Sequence, residues 1–136
     1  MVGVVLVTHA KFGEELLKSA EMILGPQSHC KSISIEVSTA MEGMIESIRS
    51  AVQEADQGDG VIILTDMFGG SPSNLSLSFL SSGNVEVVTG MNLPMILKIL
   101  GSRDLSIKKL AAEAKTAGKN GIIVAGELLR RKVTEG

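Results

Sequence analysis

His9 and Asp66 each stand where an apolar run gives out, the first after VGVVLVT and the second after VIILT. A carboxylate that accepts from Nδ1–H fixes a histidine's tautomer and leaves the Nε2 lone pair free. It also faces the positive charge that builds on the ring when Nε2 attacks an electrophile, so the pair reads as a nucleophile with its orienter. Taken singly, a lone histidine is more often structural and an aspartate at a strand end is a common turn cap. Asp66 opens the stretch DMFGGSPSN. There Gly69 and Gly70 permit positive φ and close backbone approach, and Pro72 suits the first position of a helix. The amides of Ser71, Ser73 and Asn74 at such a start favour an anion. Ser71 could equally cap the helix or bond the ligand. The stretch lacks the Gly-Lys-Ser/Thr ending of a nucleotide P-loop, and no GxGxxG follows the first apolar run.

These residues meet only if the elements that carry them are neighbours. Residues 2–8 form a nearly continuous apolar run, the pattern of a strand buried on both faces. Residues 12–24 carry Leu16, Leu17, Ala20, Ile23 and Leu24 on one helical face, and Gly25-Pro26 ends that helix. The alternation within residues 31–37 predicts a second strand. Thr39 and Glu42 have the spacing of a capping box, ahead of a helix carrying Met41, Met44, Ile45, Ile48, Val52 and Ala55. Residues 61–64 and 85–88 predict two more strands. A helix starts near Pro94, another covers about residues 104–117, a short last strand covers 121–125, and the tail LLRRKVTEG is expected to fray. NLSLSFL alternates with period 2, yet the Ser71-Pro72 start and the β–α alternation elsewhere predict a helix there. Strands separated by helices predict an α/β fold, a mainly parallel sheet flanked by helices on both faces. Ligands of such sheets gather beyond the carboxyl ends of the strands. Strand order 2-1-3-4 would bring His9 and Asp66 together there.

Composition narrows the alternatives. The chain has 136 residues, 44% hydrophobic and 21% charged, and a formal net charge of −2, enough for one domain over residues 1–136 with its core at about 2–125. Aromatics are 2% and no basic stripe appears outside the short RRK, so no nucleic-acid partner is expected. The single cysteine, Cys30, fits a reducing compartment. No stretch approaches the roughly 18 apolar residues of a membrane span, and a soluble, cytoplasmic protein is expected. One His, one Asp and a distant Cys fall short of a metal-ligand set, so no metal or other cofactor is expected. His29, beside Cys30 in a polar turn, is expected to meet only water.

VVLVTHAKFGEELLKSAEMILG, VIILTDMFGGSPSN and VVTGMNLPMIL resemble, in order and spacing, the enzyme IIA component of the mannose-type family of the bacterial sugar phosphotransferase system. The resemblance covers residues 2 to about 125. It implies that His9 receives a phosphoryl group at Nε2 from the phosphohistidine of the carrier protein HPr and passes it to a IIB protein, with Asp66 as its partner. It also implies that Gly69, Gly70, Ser71 and Ser73 lie where the family holds the phosphoryl oxygens. The family's homodimer exchanges a C-terminal antiparallel strand, which would be residues 121–125. Ala10 stands where most members have glycine. Met67, Phe68, Met91 and Leu93, expected to be exposed around the crevice, would form a docking face for partners. The chain ends after the IIA region, so the IIB protein is expected to be separate, with membrane association only through it. Two other readings share these residues: a regulatory module whose His9 phosphorylation state reports sugar or energy supply, and an aspartyl-phosphate receiver on Asp66. The second lacks an acidic pair for Mg²⁺ after the first strand.

Overall fold

The computed structural model describes residues 1–135. Its elements run β1 (Gly3–His9), α1 (Phe12–Leu24), β2 (Cys30–Ile35), α2 (Met41–Ala55), β3 (Val61–Thr65), α3 (Ser71–Leu77), a 3₁₀ turn (Leu80–Ser82), β4 (Val85–Thr89), α4 (Leu93–Leu100), α5 (Ile107–Asn120) and α6 (Ala125–Glu135). The four strands form one parallel sheet in the order β2-β1-β3-β4, as expected. β1 is central, with Val4 opposite Cys30 on one side and Ile62 on the other.

Side chains alternate across β1 and β3, which splits the core into two layers. Val4, Leu6, Ile62 and Leu64 face α1, α4 and α5, packing on Ala20, Ile96, Ile99, Leu110 and Ala114. Val5, Val7, Val61 and Ile63 face α2, packing on Ile48, Ala51 and Ala55 with Phe79 beside them. Helices therefore cover both faces. At about 25 cal/mol per Å² of apolar surface removed from water, each fully buried leucine or isoleucine contributes roughly 1.5–3 kcal/mol. The amino end of the sheet is closed by Arg103, which is buried and donates to the carbonyls of Val2 (2.8 Å), Ser28 (2.6 Å) and His29 (3.0 Å).

Several local expectations fail, each for a physical reason. α2 starts after Ala40, with no side-chain cap, so Thr39 and Glu42 form no capping box. α3 is capped by the backbone of Gly70, which puts Ser71 inside the helix and leaves its hydroxyl unused as a cap. NLSLSFL is helical only to Leu77. Its period-2 pattern misleads because Ser73 and Ser76 are the buried positions; Ser76 Oγ donates to Pro72 O at 2.6 Å, which lets a polar residue face inward. Ile23 and Leu24 end α1 exposed, and β2 stops at Ile35, leaving Val37 fully exposed. α5 begins at Ile107, three residues after the expected start, because Ser106 accepts from Lys109 N–H and caps it there. Residues 121–125 form no strand: Ile122, Ile123 and Val124 are irregular and exposed, because the Ile122 N–H is bonded back to Lys119 O and α6 already begins at Ala125. Through Glu135 the tail does not fray but forms α6, consistent with its run of good helix formers Glu127, Leu128, Leu129 and Arg130; Gly136 lies outside the described residues.

Candidate functional site

The register of β1 beside β3 places their carboxyl ends together, Val7 opposite Thr65. Asp66 follows Thr65 directly, and His9 lies two residues beyond Val7 as the last residue of β1. Asp66 Oδ2 lies 2.8 Å from His9 Nδ1 and accepts the His9 backbone N–H at 3.0 Å. Its other oxygen accepts from Met67 N–H at 3.0 Å. Burial pushes the Asp66 carboxyl up, but the backbone and ring N–H groups of His9, the ring's charge and a further backbone N–H outweigh it and hold Asp66 below its ordinary value of 3.8. Asp66 is thus an anion at neutral pH and can only accept. Nδ1 therefore carries a proton, and in the neutral ring the Nε2 lone pair is free. The His9 side chain is 51% exposed and that of Asp66 only 15%, so the ring reaches solvent while its partner is sheltered.

The loop after Asp66 passes along the open edge of the ring. A Cβ built on Gly70 would lie 2.8 Å from His9 Cε1 and 3.3 Å from Nε2, which only glycine avoids. Gly69 turns the chain at φ 89° just before it. Ser71 and Asn74 line one wall of a cleft of about 570 Å³ with His9 at its rim. Ser73 is different: its side chain is fully buried with no partner for its hydroxyl, so only its backbone remains near the loop. Of the expected docking residues, Met67 and Phe68 are 55% and 72% exposed. Met91 is not: it is buried in the core beneath α4, and Leu93 packs against that core. Gly90 turns at φ 80°, and the amides of Gly90 and Met91 both donate to Thr65 O, which draws Met91 inward.

Sequence reasoning missed the other wall of the cleft. Ile35, Val37, Met41, Met44 and Leu75 supply it, from the end of β2, the start of α2 and α3. The exposed apolar residues Val37 and Met41 at the β2–α2 connection were the available signal. Also missed was Thr8, whose buried hydroxyl accepts the Gly13 N–H at 2.8 Å. Between them, Ala10 sits at φ 47°, a left-handed conformation that costs an L-residue roughly 1–2 kcal/mol and that glycine takes freely. Among the described residues, no three His, Cys, Asp or Glu side chains are placed to hold a metal ion. Cys30 is half-buried at the far end of the sheet, and burial pushes its thiol up.

A family profile described as "PTS system fructose IIA component" matches residues 3–115. The chain belongs to the mannose-type enzyme IIA family of the sugar phosphotransferase system. The mannose-specific EIIAB component of Escherichia coli K12 is 35% identical over 124 residues, which is 89% of this chain and 38% of that protein. The chain thus spans well under half the length of that relative. The fructose-specific EIIA component of Bacillus subtilis is 26% identical over 136 residues, covering 98% and 93% of the two chains. Among solved structures, the PTS IIA protein associated with the fucose utilization operon of Streptococcus pneumoniae superposes with a TM-score of 0.84 at 28% identity, covering 95% of this chain and 99% of that one. Membership in the mannose-type enzyme IIA family carries a phosphotransfer role within the sugar phosphotransferase system. No helix among the described residues is long and apolar enough to cross a membrane.

Proposed function

We propose that the chain is a phosphoryl-relay subunit: His9 accepts a phosphoryl group on Nε2 from the phosphohistidine of HPr and gives it to a IIB acceptor. The observation that carries this reading is the bond from His9 Nδ1 to Asp66, which in the neutral ring puts the proton on Nδ1 and the lone pair on Nε2, at a solvent-facing edge. The Nε2 lone pair forms the new N–P bond in line as the N–P bond to the donor histidine breaks. The donor ring leaves with that electron pair. The Nδ1 proton stays on His9, and the Asp66 carboxylate faces the positive charge that the ring acquires. Phosphoryl transfer depends on positioning and charge stabilisation more than on covalent assistance. No metal enters this scheme.

Gly70 lies beside Nε2, the backbone of Gly69, Gly70, Ser71 and Ser73 holds the phosphoryl oxygens, and the Ser71 hydroxyl, unused as a cap, joins them. Met67 and Phe68 form part of the partner docking face. The subunit is a homodimer in which residues 122–124, exposed apolar chain beside the open edge of β4, pair with the second copy. It acts in the cytoplasm and reaches a membrane permease only through IIB.

Supplied with phosphoenolpyruvate, enzyme I and HPr, the chain should take up an acid-labile, base-stable phosphate and pass it to a IIB protein. Absence of label under these conditions sinks the relay reading, and an alkali-labile label would point to Asp66 as acceptor instead. A label that no co-encoded IIB protein removes would make the chain a reporter of phosphorylation state.

A further inference from the structure

The helix that follows His9 begins without a cap of its own. Lys11 occupies the cap position of α1 and makes no side-chain bond there. The amide of Gly13, one of the free donors of the first turn, is bonded instead from the strand side by Thr8 Oγ1 at 2.8 Å. The same hydroxyl lies 3.4 Å from Ala10 O, to which its own proton is directed. One oxygen thus ties the end of β1 to the start of α1 across the four residues His9, Ala10, Lys11 and Phe12. The packing is tight on this side: a Cβ on Gly13 would lie 3.0 Å from Thr8 Cγ2. Thr8 is fully buried, so water cannot take over its bonds.

The bridged turn contains a residue that resists it. Ala10 is held at φ 47°, and a released alanine relaxes toward negative φ. That rotation would move the His9 backbone, whose N–H shares Asp66 Oδ2 with the ring Nδ1. Both bonds to one oxygen survive only if the turn keeps its shape. We propose that Thr8 is a positioning residue for His9: its hydroxyl clamps the His9–Lys11 turn in the left-handed form that Ala10 opposes, and so keeps the ring on Asp66. The clamp matters in this chain because position 10 is alanine. With glycine there, the turn needs no restraint.

The rate arm of the test rests on the relay reading; the ring arm does not. Thr8→Val keeps the shape and removes the hydroxyl, Thr8→Ser keeps the hydroxyl, and Ala10→Gly removes the opposition. Phosphorylation by phospho-HPr should show kcat about 10-fold lower in Thr8→Val, with KM within about twofold. It should be near wild type in Thr8→Ser and largely recovered in the double variant Thr8→Val/Ala10→Gly. Nitrogen-15 NMR of the histidine rings should show one His9 tautomer, protonated at Nδ1, in the wild type and in Thr8→Ser. Thr8→Val should show a mixture, restored to one form by Ala10→Gly. A Thr8→Val protein that melts earlier yet keeps the wild-type rate and a single tautomer would make Thr8 merely structural. A double variant no better than Thr8→Val would overturn the link to Ala10. If the wild type itself takes no phosphate, the relay reading fails and the tautomer comparison alone decides the role of Thr8.

Discussion

The two histidines of this chain sit at opposite ends of the same sheet, and both lie at bends where a non-glycine residue takes positive φ: Ala10 beside His9, and His29 itself at 54°. At the amino end, Gln57 Nε2 lies 2.8 Å from His29 Nε2. An amide nitrogen only donates, so the His29 lone pair at Nε2 is occupied. The His29 carbonyl accepts from Val4 N–H and from Arg103, which makes the residue a joint in the framework and corrects the expectation that it meets only water. At the carboxyl end the partner is a carboxylate, it binds the other ring nitrogen, and Nε2 is left open. The difference between a structural and a reactive histidine here lies in which nitrogen is engaged and by what.

Removing each ring tests that contrast most severely. His9→Ala should abolish phosphate incorporation, whereas His29→Ala should keep it at the wild-type level with a lower melting temperature; radiolabel uptake and calorimetry read the two. Asp66→Asn should slow transfer on the order of 100-fold with the fold retained, because the amide cannot face the ring's charge. Wild-type rates in that variant would remove the distinction between carboxylate and amide partners. Arg103→Met leaves the carbonyls of Val2, Ser28 and His29 without this donor and should cost about 3 kcal/mol in urea unfolding, with the transfer rate per folded molecule unchanged. Gly70→Ala, which crowds His9 Cε1 but touches nothing near His29, should cut transfer about 10-fold through displacement of the ring.

The smallest effect concerns acid. Because the folded carboxyl of Asp66 lies below its ordinary 3.8, its stabilisation is complete above that value and is lost as pH falls through the lowered folded value. The contribution is about 1 kcal/mol or less at this solvent-facing pair. The melting-temperature gap between wild type and Asp66→Asn should hold above pH 3.8 and close below it, while that for His29→Ala should show no such closure.

Much of this arrangement was legible in the residues. The apolar runs of β1 and β3 are short and bounded, so their ends, and hence His9 and Asp66, could be placed before any coordinates. The helices on both faces follow from 3.6-residue periodicity. Less legible was whatever depended on a bond between distant or non-periodic groups. Met91 looks like a surface methionine until the two hydrogen bonds from the Gly90 and Met91 N–H groups to Thr65 O draw it inward. Residues 121–125 carry strand residues, but the turn back to Lys119 and the start of α6 at Ala125 leave them irregular. Thr8 reads as the last residue of an apolar run, and only the position of Gly13 N–H reveals that its hydroxyl is engaged. Arg103 gave no sign that its guanidinium would bind three carbonyls.

His9 is carried on a strand that is paired along both edges and buried through six of its seven residues. Amides in the paired, buried part of such a strand exchange with solvent only when the whole structure opens, so the strand leading to the acceptor is as persistent as the fold. Few partial openings would therefore displace the strand that ends in His9 while leaving the rest intact. Control over this site has to act by covering the exposed edge of the ring, through whatever docks on the cleft beside it, rather than by melting the segment that bears it.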